Sequence, residues 1–149
     1  VPVVEENIVV ARPPQEVFDF LSKFENLAAY DRFVTASGQV GDGPVGLGTR
    51  GWGSNSYMGM RSDWTVEYTE FDPPRRLVSR SLEGKRDLTV AFNLEPADGG
   101  TRLSERIEVR SGLGFLDKLP DPLVSRILGW SLRGNLKNLA RWLAEHPQT

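Results

Sequence analysis

Apolar and polar residues alternate from Val3 to Val10 with the two-residue period of a strand, Val3, Glu5, Asn7 and Val9 against Val4, Glu6, Ile8 and Val10. Either set is free to face inward. Pro13-Pro14 ends the strand and opens a short helix over Gln15 to Phe24, because proline is tolerated in a first helical turn. Val17, Phe20, Leu21 and Phe24 form its apolar face, and a second short helix covers Glu25 to Tyr30. From Phe33 onward, glycine, proline and asparagine punctuate short apolar runs, which predicts strands near 34–40, 47–54, 57–70, 75–82, 86–95 and 101–111. Asn55-Ser56, Pro73-Pro74, Glu83-Gly84 and Asp98-Gly99-Gly100 mark turns between them. Beyond Pro120 and Pro122 the period changes to that of a helix, from about Leu123 to Glu145. Val124, Leu128, Leu132, Leu136, Leu139, Trp142 and Leu143 share one side of it; Arg126, Arg133 and Lys137 lie opposite.

Strand parity assigns faces, because residues two apart point the same way. Met58, Met60, Trp64, Val66 and Tyr68 form one apolar set, Leu88, Val90, Phe92 and Leu94 a second, and Leu103, Ile107 and Val109 a third. A two-residue turn at Glu83-Gly84 pairs Arg80 with Asp87 and Ser79 with Leu88, leaving Ser79 and Ser81 inward. A two-residue turn at Asn55-Ser56 pairs Gly53 with Met58 and Gly51 with Met60, placing both glycines inside and Trp52 outside; a three-residue loop reverses that face. The inward set is then interrupted by Ser62, Ser79, Ser81 and Glu105 on the sheet and by Ser131 and Asn135 on the long helix. Unbonded polar groups in a solid core cost about 1–3 kcal/mol each, so several of them facing inward indicate a wet or ligand-filled space. Glycines opposite methionines leave further volume to fill.

Composition narrows the chemistry. The 149 residues are 39% hydrophobic and 26% charged, which suits one globular domain over residues 1–149. Cysteine is absent and the only histidine, His146, sits near the end beside Pro147, which argues against thiolate or histidine metal sites and against a Ser-His-Asp catalyst. A net charge of −2 gives no electrostatic reason to expect nucleic acid. No apolar run approaches the roughly 18 residues of a membrane span and no leader-like pattern opens the chain, so the cytoplasm is the default expectation and no cofactor is implied.

The stretches Ala11-Arg-Pro-Pro-Gln-Glu-Val-Phe-Asp-Phe-Leu21, Gly43-Pro-Val-Gly-Leu-Gly-Thr49 and Glu70-Phe-Asp-Pro-Pro-Arg-Arg-Leu-Val78, in this order, give nearly the whole chain a pattern that resembles the START-like SRPBCC superfamily. Within it, the chain looks most like the polyketide cyclase/dehydrase and lipid transport branch. The resemblance implies an α+β helix-grip fold (START/Bet v 1-like): a curved seven-stranded antiparallel sheet around a long C-terminal helix, with two short helices after the first strand. It also implies a hydrophobic cavity between sheet and helix, used by different members for lipids, hormones, polyketides or quinones, and no shared catalytic motif. Tyr30 stands where many relatives carry tryptophan.

Glu105 is the foremost candidate for chemistry, since parity sets it between Leu103 and Ile107, where desolvation raises a carboxyl pKa. The plainer alternative is a solvated rim position paired with an arginine. Asn135 and Ser131, one helical turn apart, offer hydrogen bonds to a ligand or to water, and Tyr30, Tyr57 and Tyr68 are either proton donors or wall. Gly43 to Gly48 lacks the lysine and the following helix of a phosphate loop and reads as a turn. The expected ligand-binding set comprises Met58, Met60, Trp64, Ser79, Phe92 and Glu105 from the sheet, Tyr30 and Phe33 before it, and Leu128, Ser131 and Asn135 from the helix. Three functions stay open: a binder or carrier of a small hydrophobic or amphipathic molecule; a polyketide aromatase/cyclase or dehydrase using Glu105 and a tyrosine; and an interaction module or homodimer acting through Trp130, which falls with the charged residues of the helix.

Overall fold

The computed structural model describes residues 2–57, 59–82 and 86–146, with Phe115 described in its backbone alone. Strand β1 (Val3–Val10) leads into helix α1 (Pro14–Ser22) and a 3-10 helix over Phe24–Ala29. Strands β2 (Val34–Gln39), β3 (Arg50–Tyr57), β4 (Met60–Asp72), β5 (Arg76–Ser81), β6 (Asp87–Ala97) and β7 (Gly100–Ser111) follow. A 3-10 helix over Gly114–Lys118, which the hydrophobic pattern does not announce, then leads to helix α2 (Asp121–Glu145). The sheet order β1-β7-β6-β5-β4-β3-β2 is antiparallel throughout, a meander with the first strand returned beside the last. This is the seven-stranded α+β arrangement expected from the sequence.

Register departs from the sequence expectation. Asn55-Ser56 is not a turn: β3 runs through both residues and Tyr57 pairs with Met60, with Gly59 at φ 78°, a left-handed conformation that glycine adopts without cost. Gly53 therefore faces Trp64 and Gly51 faces Val66, in place of the two methionines. The partners move by an even number of positions, so the faces survive: both glycines point inward and Trp52 outward. The same holds across the next hairpin, whose expected turn at Glu83-Gly84 lies outside the described residues. Ser79 pairs with Val90, not Leu88, yet Arg80 still reaches Asp87 at 4.0 Å. Irregularities between Val34 and Ala36, Tyr68 and Glu70, and Asp87 and Leu88 break the ladders, and such bulges bend strands and help to curl a sheet.

Helix α2 crosses this curled sheet near β1, where Gly129 is buried and Arg133 Nη1 lies 3.3 Å from Glu6 Oε2. The two halves of α2 meet different surroundings. Leu136, Leu139 and Leu143 are buried with Val10, Phe18, Leu77 and Leu103 in a solid core. The preceding turns hold Leu128, Ser131 and Asn135, and there the layers stand apart.

The inward glycines do not leave space unfilled. A Cβ on Gly53 would overlap the Trp64 ring, and one on Gly51 the Phe24 ring, so the aromatic side chains lie directly on the backbone. Gly53→Ala is accordingly expected to destabilise the fold by about 1–3 kcal/mol, the cost of overpacking, as read by chemical denaturation. A change below ~0.5 kcal/mol, the range of ordinary surface substitutions, would contradict this packing.

Candidate functional site

The space between the first half of α2 and the sheet is a cavity of about 260 Å³. Tyr30, Phe33, Trp64, Ser79, Phe92, Glu105, Leu128, Ser131 and Asn135 all line it. Met60 does not: at 73% exposure it sits just past the β3–β4 hairpin tip, and Ser62 beside it is also exposed, because β4 begins beyond the region that α2 covers. Parity gave both residues the correct face, but a strand end projecting past its partner layer has no inside. Met58 lies outside the described residues.

Further polar residues join the wall, among them Asn55, Arg86 and Asp31. Asn55 accepts a hydrogen bond from Trp64 Nε1 at 2.8 Å, which fixes the indole across the sheet. Arg86 shares the inward parity of Leu88, Val90 and Phe92 and was legible by the same rule. Asp31 follows the 3-10 helix in a loop where no periodicity assigns a face. The Phe33 backbone N–H donates to its Oδ1 at 3.1 Å and helps to hold it at the cavity.

Burial dominates the electrostatics here. Glu105, 8% exposed on β7, has its carboxyl pKa pushed up to about 8 by desolvation and, secondarily, by the charge of Asp31. It is therefore not the solvated rim residue of the plainer alternative, and at neutral pH it carries a proton. Desolvation also raises Asp31, opposed by the Phe33 N–H, by attraction to Arg86 and Arg32 and by a hydrogen bond from Asn135. Desolvation pushes Arg86 below its ordinary value while Asp31 opposes that. Tyr30 is raised well above its ordinary range, by burial first and by Glu105 next, so its hydroxyl stays protonated. Of the other tyrosines, Tyr68 also borders the cavity and Tyr57 does not. Tyr68 donates its hydroxyl to the Ser22 carbonyl at 2.9 Å, and Tyr57 is exposed with its ring edge-on to Phe33 at 5.3 Å.

Asn135 and Arg86, which both line the cavity, each hold one closed-off polar atom, Oδ1 and Nε, with no hydrogen-bond partner among the described residues. Trp130 lies on the outer side of α2, 60% exposed, with the Arg32 guanidinium carbon 4.8 Å from its ring centre. It is not part of the cavity wall. Unbroken helical structure through Gly129 keeps it on that side.

The fold recurs in solved structures. The chain is similar to TTHA0849 from Thermus thermophilus, with 22% identity over 99% of this chain and 100% of that one and a TM-score of 0.81. It is similar to a START superfamily protein from Mycobacterium smegmatis, with 15% identity over 96% and 97% of the two chains and a TM-score of 0.77. It also matches the di-domain ARO/CYC StfQ from the steffimycin biosynthetic pathway, with 15% identity over 96% of this chain and 50% of that one and a TM-score of 0.74. At such identities the likeness is one of fold. No curated protein matches the chain. Among the described residues no helix is long and apolar enough to cross a membrane. Residues 2–144 match the family described as polyketide cyclase / dehydrase and lipid transport, and the chain belongs to that family.

Proposed function

We propose that the chain binds a small hydrophobic or amphipathic molecule in the cavity between α2 and the sheet. The observation that carries this reading is the cavity itself: about 260 Å³ walled mainly by apolar side chains such as Leu128, Phe92, Trp64 and Val90, with a few buried polar groups among them. Ligand sites are concave and mostly apolar, with a few polar groups that fix orientation. Native mass spectrometry of the freshly purified protein is expected to reveal a co-purifying small molecule, and an apolar fluorescent probe is expected to be displaced by it. A protein that emerges bare and takes up no apolar probe would overturn the reading.

A second reading is favoured by one pair of side chains. The Glu105 carboxyl, protonated at neutral pH, lies near enough to Tyr30 to raise the pKa of its phenol, so two proton donors share one desolvated wall. Such a pair suits an aldol cyclisation or dehydration in which the Tyr30 hydroxyl donates to a carbonyl oxygen and the ionised minority of Glu105, whose share grows as pH approaches about 8, removes a proton from the adjacent carbon. Glu105→Gln is then expected to slow cyclisation of a 1,3-diketone chain by a factor of about 100 or more while leaving its binding within a few-fold. Equal loss of binding and turnover would assign Glu105 to ligand recognition instead.

A further inference from the structure

The outer face of α2 combines exposed apolar bulk with charge of one sign. Leu123, Ile127 and Trp130, at the i, i+4 and i+7 spacing of one helical stripe, are large and exposed. Arg126, Arg133, Lys137 and Arg141 stand beside or beyond them, and no acidic residue lies between Asp121 and Glu145 at the two ends of the helix. The whole chain carries a net charge of −2, so this face runs against the sign of the molecule. Gly134 admits a further cation. A Cβ there would overlap the Arg32 guanidinium, so the missing side chain lets Arg32 lie on the helix, 4.8 Å from the Trp130 ring centre. Arg133 is drawn off to Glu6, but Arg32, Arg126 and Lys137 form no ion pair among the described residues. The patch also reaches the cavity. Arg32 lies 5.8 Å from the Phe33 ring centre, and Phe33 both lines the cavity and meets the exposed Tyr57 edge-on. Tyr57 in turn pairs with Met60 at the exposed tip of the β3–β4 hairpin.

We propose that this face docks the protein peripherally on an anionic lipid bilayer, with Leu123, Ile127 and Trp130 entering the headgroup region and Arg32, Arg126 and Lys137 meeting the lipid phosphates. Segments that lie on membranes combine basic residues with large apolar ones, and tryptophan and tyrosine favour the headgroup level, where one edge of the ring is wet. A second copy of the chain fits the face poorly. In a two-fold dimer the patch meets itself, which sets unpaired cations against one another. The docking concerns the exterior and holds whether or not the cavity takes a ligand, so its failure leaves the cavity reading untouched.

Flotation of the purified full chain with unilamellar vesicles tests it, one set of phosphatidylcholine alone and one of phosphatidylcholine and phosphatidylglycerol in equal parts. The anionic vesicles are expected to bind about 100-fold more strongly than the neutral ones, three cations each contributing about a factor of five. Raising the salt to about 0.5 M is expected to remove most of that excess, since the screening length then falls to about 4 Å. The double variant Arg126→Gln, Lys137→Gln is expected to bind the anionic vesicles about 30-fold more weakly, and Trp130→Ser about tenfold more weakly. All three side chains are exposed, so both proteins are expected to fold, and either one decides the matter if the other does not. Anionic vesicles bound no better than neutral ones, or bound equally by the wild type and a folded variant, would overturn the docking. So would a folded wild type that ignores both vesicles and sediments as a dimer dissociated by Trp130→Ser, a result that gives the patch to a second copy.

Discussion

Glu105→Gln is expected to become more stable than the wild type as pH rises, by on the order of 5 kcal/mol at pH 9, while the two proteins match near pH 4.5. The cause is proton linkage. In the unfolded chain the carboxyl ionises near its ordinary value of 4.5, whereas burial on β7 pushes it to about 8 in the folded protein. Between these values the folded state holds a proton that the unfolded state has lost, so stability falls with rising pH at up to ~1.4 kcal/mol per pH unit. Stability from this group is complete below the lower value and gone above the higher one. The interval from 4.5 to about 8 gives the limiting figure of about 5 kcal/mol. Glutamine is close in shape and stays neutral, so it lacks this slope. Asp31, also raised by burial, is present in both proteins, and the difference curve isolates Glu105 to first order. Urea unfolding at several pH values measures it. A flat difference between the two proteins from pH 4.5 to 9 would mean that Glu105 is hydrated in the folded state.

The second large effect contrasts two leucines on one helix. Leu139 is completely buried in the solid half of the interior, whereas Leu128, about three turns earlier, borders the cavity and is only half-buried. Leu139→Ala leaves a new void in the buried cluster that also holds Val10, Phe18 and Leu103 and is expected to cost about 2–5 kcal/mol. Leu128→Ala removes methyl groups that already face empty space on one side, so they have fewer packing partners to lose. It is expected to cost about 1 kcal/mol or less and to enlarge the cavity. Thermal unfolding of the pair reads the contrast. Equal losses would mean that both halves of α2 pack against a continuous core.

Most of the architecture was legible because its signals are local and periodic. The proline pairs, the glycine-marked turns and the apolar stripe of α2 fix the element order, and strand parity fixes which face each residue presents. Register was not legible: placing the β3–β4 turn at Asn55-Ser56 and not beside Gly59 moved every partner, and only an even-numbered displacement kept the faces correct. The candidate site divides along the same line. Ser79, Phe92, Glu105 and Asn135 sit on regular elements, and their faces could be counted. Met60 was misplaced because parity gives a direction and says nothing about where the covering helix ends. Asp31 was missed because it lies in a loop. Arg86 was reachable by parity, but a cation at the start of a strand reads as a solvated end, and only the folded chain brings it opposite Asp31.

Naphthalene titrated into isotope-labelled protein, followed residue by residue through backbone amide NMR shifts, tests the open space between α2 and the sheet. Saturable one-to-one changes concentrated at Leu128, Ser131, Val90 and Phe92, on both layers at once, are the predicted result. Changes confined to Trp130, Tyr57 and Met60 on the exterior, or none at all in a folded protein, would contradict it.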